Sequence, residues 1–141
     1  MAGSHYHIAY GGKGDKQVVA AARLGGDVSF IACIGDDDIG RAMKNAFEQD
    51  GIHTESITQI QHEMSGIAMI QVAENGENSI IISAGANGAL DEKVVEHHQA
   101  VIRQSDCLLM QLETPLNAVI RAAKIVKAAN NTKVILNPAP A

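Results

Sequence analysis

Aromatic side chains make up only 3% of this 141-residue chain, and it carries no block of lysine or arginine to offset a formal net charge of −5. Those two shortages leave neither a base-stacking platform nor an electrostatic footprint for nucleic acid. Long apolar runs are missing too. The apolar stretches are short and interrupted, and none approaches the roughly 20 residues of a membrane span. Met1-Ala2-Gly3-Ser4-His5 lacks the basic and apolar regions of a secretory signal, so a cytoplasmic location is expected. Cysteine is scarce. Cys33 and Cys107 each sit inside an apolar run with no Cys or His at metal-ligand spacing, which predicts buried free thiols rather than a disulfide or zinc site.

What is present is a chain 46% hydrophobic and 19% charged, long enough for one domain that buries about two thirds of its unfolded surface. Helical and strand periods alternate along it. His5 to Ala9 reads as a short strand. Gly11-Gly12-Lys13-Gly14 is a turn, and Asp15 is placed to cap a helix through Leu24 that carries Val18, Val19 and Ala22 on one face. Val28 to Ile34 is a continuous apolar strand of the type buried on both faces of a parallel sheet. Gly35-Asp36-Asp37-Asp38 leads into an amphipathic helix ending near Gly51. Ser56 to Gln61 and Gly66 to Ala73 have strand character, and Asn75-Gly76 predicts a hairpin into Ser79 to Ser83.

After the loop Gly85-Ala86-Asn87-Gly88 the pattern predicts one helix from Asp91 to Arg103 and then a strand, Cys107 to Leu112. A helix to about Ala129 follows, with Thr114 as N-cap and Pro115 at its first position. Lys133 to Leu136 is the last strand. The alternation predicts an α/β domain whose mostly parallel sheet has helices on both faces. Ligands of such sheets bind beyond the carboxyl ends of the strands, where Gly35-Asp36, Glu113-Thr114 and Asn137 all fall.

The glycine loop has neither Walker nor Rossmann spacing. Its residues either let backbone approach a ligand, with Lys13 as a charged donor, or form a plain turn. A carboxylate at Glu113, ending the run Cys107-Leu108-Leu109-Met110-Gln111-Leu112, calls for a hydroxyl or cationic partner. A sugar could supply hydroxyls; the loop's own backbone or a lysine could serve instead. Asp36, Asp37 and Asp38 read as an N-cap with favourable dipole charges rather than as a metal site. His5 and His7 share a face of the first strand, and adjacent His97 and His98 diverge on a helix. The residues by themselves imply a ligand-binding α/β domain and no particular reaction.

Ala9-Tyr10-Gly11-Gly12-Lys13-Gly14, Ala20-Ala21-Ala22-Arg23-Leu24-Gly25 and Phe30-Ile31-Ala32-Cys33-Ile34-Gly35-Asp36-Asp37 together resemble the first signature of the PfkB-type carbohydrate kinases. Ser83-Ala84-Gly85-Ala86-Asn87, Leu108-Leu109-Met110-Gln111-Leu112-Glu113-Thr114-Pro115-Leu116 and Leu136-Asn137-Pro138-Ala139-Pro140-Ala141 resemble segments found in that order in the ribokinase group of the family.

The resemblance implies ATP-dependent phosphorylation of ribose at its 5-hydroxyl, with magnesium and a monovalent cation (K+). It assigns Gly11, Gly12, Lys13 and Gly14 to the sugar-contacting loop and Glu113 to sugar binding. It also implies that strands at about 5–9 and 66–83 belong to a small β lid that closes over the sugar and pairs two subunits into a homodimer. Lys16 stands where the signature has a sugar-contacting Asn and offers donors only. Asp15 replaces a small residue and could pair with Lys16; Val18 replaces another. The family's first strand is expected before Met1, and its Gly-Ala-Gly-Asp motif, with the catalytic base and ATP site, after Ala141. No match to that motif occurs in this chain, so it is expected to be a partial domain without a catalytic residue and inactive alone. The alternatives are a non-catalytic module that binds sugar or partners through the lid, and a kinase of fructose or a nucleoside.

Overall fold

The computed structural model describes residues 5–129 and 132–140. Met1 to Ser4 of the segment read for a secretory signal, and Ala141 of the last quoted segment, lie outside these. Helix α1 (Lys13–Arg23) begins two residues before the expected Asp15 cap. Gly12 is the flanking residue, and Asp15 lies in the first turn, reaching back to accept the Gly12 N–H at 2.8 Å. Strand β1 (Ala32–Gly35) starts later than the apolar run. Val28 to Ile31 is tied alongside instead, through Phe30 N–H to the His53 carbonyl at 3.1 Å and His53 N–H to the Val28 carbonyl at 2.9 Å.

Helix α2 (Asp38–Gln49) has Asp37 as N-cap, accepting the Gly40 N–H, while Arg41 pairs with Asp36 and Asp38. The acidic run therefore does the capping and dipole work its position implied. Strand β2 (Ile57–Ile60) pairs with β1 in parallel, Ala32 opposite Ile57 and Gly35 opposite Ile60. Successive β1 residues face opposite ways. Cys33 joins a core with Leu90, Val95, Ile102, Ala118 and Ile125, and Ile34 joins a second with Val18, Phe47, Ile52 and Ile57. This is the double-sided burial that the unbroken apolar run predicted. Phe30 meets Phe47 edge to face at 5.3 Å, closing the core under α1 and α2.

Strands β3 (Ile67–Val72) and β4 (Asn78–Ser83) form the expected antiparallel hairpin, with Ile70 opposite Ile80. Ala73 donates to Glu77 across the turn, and Gly76 takes the positive φ of +85° that closes it. Every residue of both strands is exposed. A short 3-10 turn (Gly85–Ala89) leads to α3 (Glu92–His97) and α4 (Gln99–Gln104). The single helix expected over 91–103 is thus broken at His98, whose φ of −98° and ψ of 16° leave the helical region. There His98 Nε2 lies 3.4 Å from Thr58 Oγ1, a partner that helical periodicity does not reveal.

Strand β5 (Cys107–Met110) pairs in parallel with β6 (Lys133–Leu136), and α5 (Leu116–Ala129) connects them. The Pro115 carbonyl accepts the Val119 N–H, so Pro115 flanks the helix and Thr114 is not its cap. The expected α/β architecture with mostly parallel pairing is present: the described residues form two parallel pairs and the separate antiparallel hairpin. Between the pairs lies a groove of roughly 770 Å³, walled by Val28 to Ile31 on one side and Cys107 to Gln111 on the other. The Asp106 and Met110 carbonyls accept bonds on the β6 side. By the alternation of a parallel ladder, the peptide groups of Cys107 and Leu109 therefore turn towards the groove. Cys107 is exposed, not buried as its apolar neighbours implied, because it shares with Leu109 the open face of β5 while Leu108 and Met110 take the face against the core.

His5 to Ala9 forms no strand: the segment is irregular and exposed, with Tyr6 at 90% exposure. A strand exists through its neighbour's hydrogen bonds, and β3 and β4 bond to each other. His5 and His7 accordingly share no strand face.

Candidate functional site

The glycine loop and Glu113 meet at the N-terminus of α1. Gly12 can enter the helix with φ −120° and ψ −166°, an extended geometry that presents the next N–H groups outward. Glu113 Oε2 accepts the Lys13 N–H at 2.8 Å, and Oε1 lies 3.4 Å from Lys13 Nζ. The sequence left Glu113 a hydroxyl, its own loop or a lysine as partner; the lysine and its backbone take the position. Both side chains remain partly accessible, at 40% and 35% exposure, so the carboxylate is less desolvated than its place after an apolar strand suggested.

Close approach explains two of the glycines. A methyl group on Gly12 would stand 3.3 Å from Glu113 Oε2, and one on Gly14 would stand 3.4 Å from Gln111 Nε2 and 3.7 Å from the Phe30 ring. Gly11 has a φ of +136°, which side chains rarely tolerate. Gln111 was not singled out from sequence, yet its side-chain carbonyl accepts the Glu113 N–H and its amide lies along α1. An amide at a strand end carries no distinguishing pattern.

Asp15 is also part of this cluster. Burial pushes its carboxyl above the ordinary value, the Gly12 N–H bond opposes that, and the Glu113 charge adds to the rise. Its partner among the described residues is the Gly12 N–H rather than Lys16, whose side chain runs along Gly11. Lys16 is exposed and points to the other flank of α1, where its Cε would lie 3.7 Å from a methyl on Gly11. There it lines a cavity of about 260 Å³ with Tyr10, Asp15, Met43, Phe47 and Asp50. The structure therefore brings Gly12, Lys13, Gly14 and Glu113 together, with Gly11 at the border, and places Lys16 beside them rather than against Glu113.

The cluster offers a carboxylate acceptor, an ammonium donor and backbone groups at one partly exposed mouth, a set suited to polyhydroxylated ligands. It does not suit polyphosphate. The N–H groups of Gly12 and Lys13, which would make the helix start an anion site, are occupied by the carboxylates of Asp15 and Glu113.

The sequence matches the model of the pfkB family carbohydrate kinases over residues 1–141. It is 60% identical over 141 residues to the ribokinase of Haemophilus influenzae, covering 100% of this chain and 46% of that protein. The structure superposes on the ribokinase of Giardia lamblia with a TM-score of 0.85 at 30% identity, over 99% of this chain and 49% of the other. It superposes on Arabidopsis thaliana ribokinase complexed with ribose and ATP with a TM-score of 0.85 at 32% identity, over 92% and 42%. The chain spans about half the length of the curated relatives it matches.

Proposed function

Because this chain belongs to the pfkB family of carbohydrate kinases, we propose that it is the sugar-binding portion of a kinase that transfers the γ-phosphoryl group of ATP to the 5-hydroxyl of D-ribose. The observation that carries this reading is the cluster at α1, in which Glu113, Lys13 and the glycine loop converge from positions 100 residues apart. Ribose hydroxyls would donate to Glu113 Oε1 and accept from Lys13 Nζ. The close packing at Gly12 and Gly14 leaves the ring only the mouth of the site to occupy. The exposed hairpin β3–β4 would serve as a lid, and its apolar strands, with Ile67, Met69 and Ile81 uncovered, as the contact between two subunits.

The described residues do not fit ATP, magnesium or K+. The Gly12 and Lys13 N–H groups at the α1 start are taken by the carboxylates of Asp15 and Glu113, and Asp36, Asp37 and Asp38 are engaged by Arg41, Gly40 and Ser65. What these residues do for the reaction is positional: they fix the sugar so that one hydroxyl is presented and water is kept from it.

The test is calorimetric titration of ribose, fructose and adenosine into the protein, with an ATP-dependent phosphorylation assay on the same sample. Ribose binding that is lost in Glu113→Ala supports the reading. Preference for fructose or adenosine assigns a different acceptor, and no binding of any sugar sinks it.

A further inference from the structure

The base of the hairpin is built around one carboxylate. Asp37 Oδ1 accepts from the Gly40 N–H at 2.7 Å and from Ser65 Oγ–H at 2.7 Å, while Oδ2 accepts the Ser65 N–H at 2.8 Å. Ser65 Oγ in turn accepts the Gly35 N–H at 3.1 Å. A single pair of side chains thus ties the start of α2, the end of β1 and the root of the hairpin. Ser65 is 6% exposed, whereas the strand beginning two residues later is exposed throughout.

The surrounding glycines show how little slack the root has. A methyl on Gly35 would collide with the Ser65 backbone, one on Gly85 with the Met64 carbonyl, and one on Gly66 would lie 2.6 Å from the Ala84 carbonyl. Glu63 and Met64 carbonyls accept from Asp36 and Ala86, closing both sides of the crossing. The two chains of the hairpin therefore leave the body through one tight crossing, held by Asp37 and Ser65, and among the described residues the arm beyond it hydrogen-bonds only within its own ladder and turn.

We infer that Asp37 and Ser65 are positioning residues that fix the pivot of the β3–β4 arm, so that it moves as a rigid lid about Gly66 and Gly85 rather than by fraying. This rests on the lid role assigned to the hairpin under Proposed function. Sugar would be retained through the arm's angle, with neither residue touching it. A carboxylate with three donors is well suited to such a pivot, because it holds the crossing in one geometry where the glycines let the two chains pass with no side chain between them.

The experiment is hydrogen exchange of backbone amides without sugar, followed by the ribose dissociation constant, in wild type, Ser65→Ala, Ser65→Thr and Asp37→Asn. For Ser65→Ala the expected result is at least about tenfold faster exchange confined to residues 65–67 and 83–86, with α5 and β6 unchanged, and about fivefold weaker ribose binding. Ser65→Thr, which keeps the hydroxyl, should restore both. Asp37→Asn still caps α2 through its carbonyl but cannot accept both Ser65 donors, and serves if Ser65→Ala does not fold. Faster exchange spread evenly over the chain, or unchanged exchange at the root, overturns the pivot. Failure of wild type to bind ribose would remove the kinase reading and leave the exchange result standing.

Discussion

Glu113 Oε2 accepts the Lys13 N–H at 2.8 Å, so the end of the β5 segment is fastened to the first turn of α1. This contact both builds the proposed sugar mouth and supplies an acceptor to one of the four N–H groups that a helix start leaves unpaired.

Replacing Glu113 by Gln keeps the shape and an acceptor but removes the charge facing Lys13 Nζ. Ribose affinity is expected to fall by tenfold or more, since hydrogen bonds to charged groups contribute about 1.5–3 kcal/mol. Stability should change by less than about 1 kcal/mol because the pair is partly exposed. Calorimetry and urea unfolding on one preparation separate the two; a stability loss matching the affinity loss would make Glu113 a structural residue only.

The glycine loop predicts a second contrast. Gly12→Ala strains no backbone dihedral, yet its methyl would press on Glu113 Oε2 from 3.3 Å. Ribose binding should weaken by about 1 kcal/mol, roughly fivefold, with little change in melting temperature. Gly88→Ala meets nothing within 4 Å and should change neither. Equal effects of the two would mean that the loop does not position the carboxylate.

Much of this was readable in the chain. The hairpin followed from Asn75-Gly76 between apolar runs, and Lys133 to Leu136 was bounded by polar residues, because such signals are local. Glu113 stood out as a charge ending an apolar run. What stayed hidden depended on partners distant in sequence. His5 to Ala9 has strand composition, yet a strand needs a neighbour. The break at His98 coincides with its contact to Thr58, 40 residues away. Ser65 and Asp37, 28 residues apart, form the pivot although neither belongs to a recognisable spacing.

The thiols should separate sharply. Cys33 is 3% exposed, and burial together with the charge of Asp91 pushes its pKa up to about 11. Cys107 is exposed on the groove edge of β5. A thiolate-specific alkylating reagent at neutral pH should label Cys107 alone in the folded protein and both after denaturation, read by mass spectrometry. Native labelling of Cys33 would contradict the two-sided burial of β1.

Two aspartates should give opposite pH signatures. The Asp15 carboxyl is raised in the fold, chiefly by burial. The folded chain then holds that proton more tightly, so Asp15 favours the fold in acid and opposes it as pH rises through the folded value. The Asp37 carboxyl is lowered, chiefly by the Ser65 N–H and then by the Gly40 N–H. Its stabilisation is present above the ordinary aspartate value of 3.8 and is lost as pH falls through the lowered one. Urea unfolding across the acid range should find the advantage of Asp15→Asn over wild type growing with pH, and the deficit of Asp37→Asn shrinking in acid. The same sign for both variants would contradict the hydrogen-bond assignments.

Lys16 offers the most direct test of the proposed sugar site. Its side chain runs along Gly11 into the cavity between α1 and α2 and makes no ion pair among the described residues. Lysine can only donate, whereas the asparagine that the resemblance places at this position both donates and accepts, as a sugar hydroxyl requires. Lys16→Asn should therefore tighten ribose binding by about tenfold, the worth of one well-made hydrogen bond of roughly 1.4 kcal/mol. Lys16→Met removes the charge without adding an acceptor and should leave affinity near wild type. If Met and Asn tighten binding equally, the lysine acts by charge and bulk. If neither changes it, position 16 lies outside the sugar site, and recognition falls to Glu113, Lys13 and the glycine backbone.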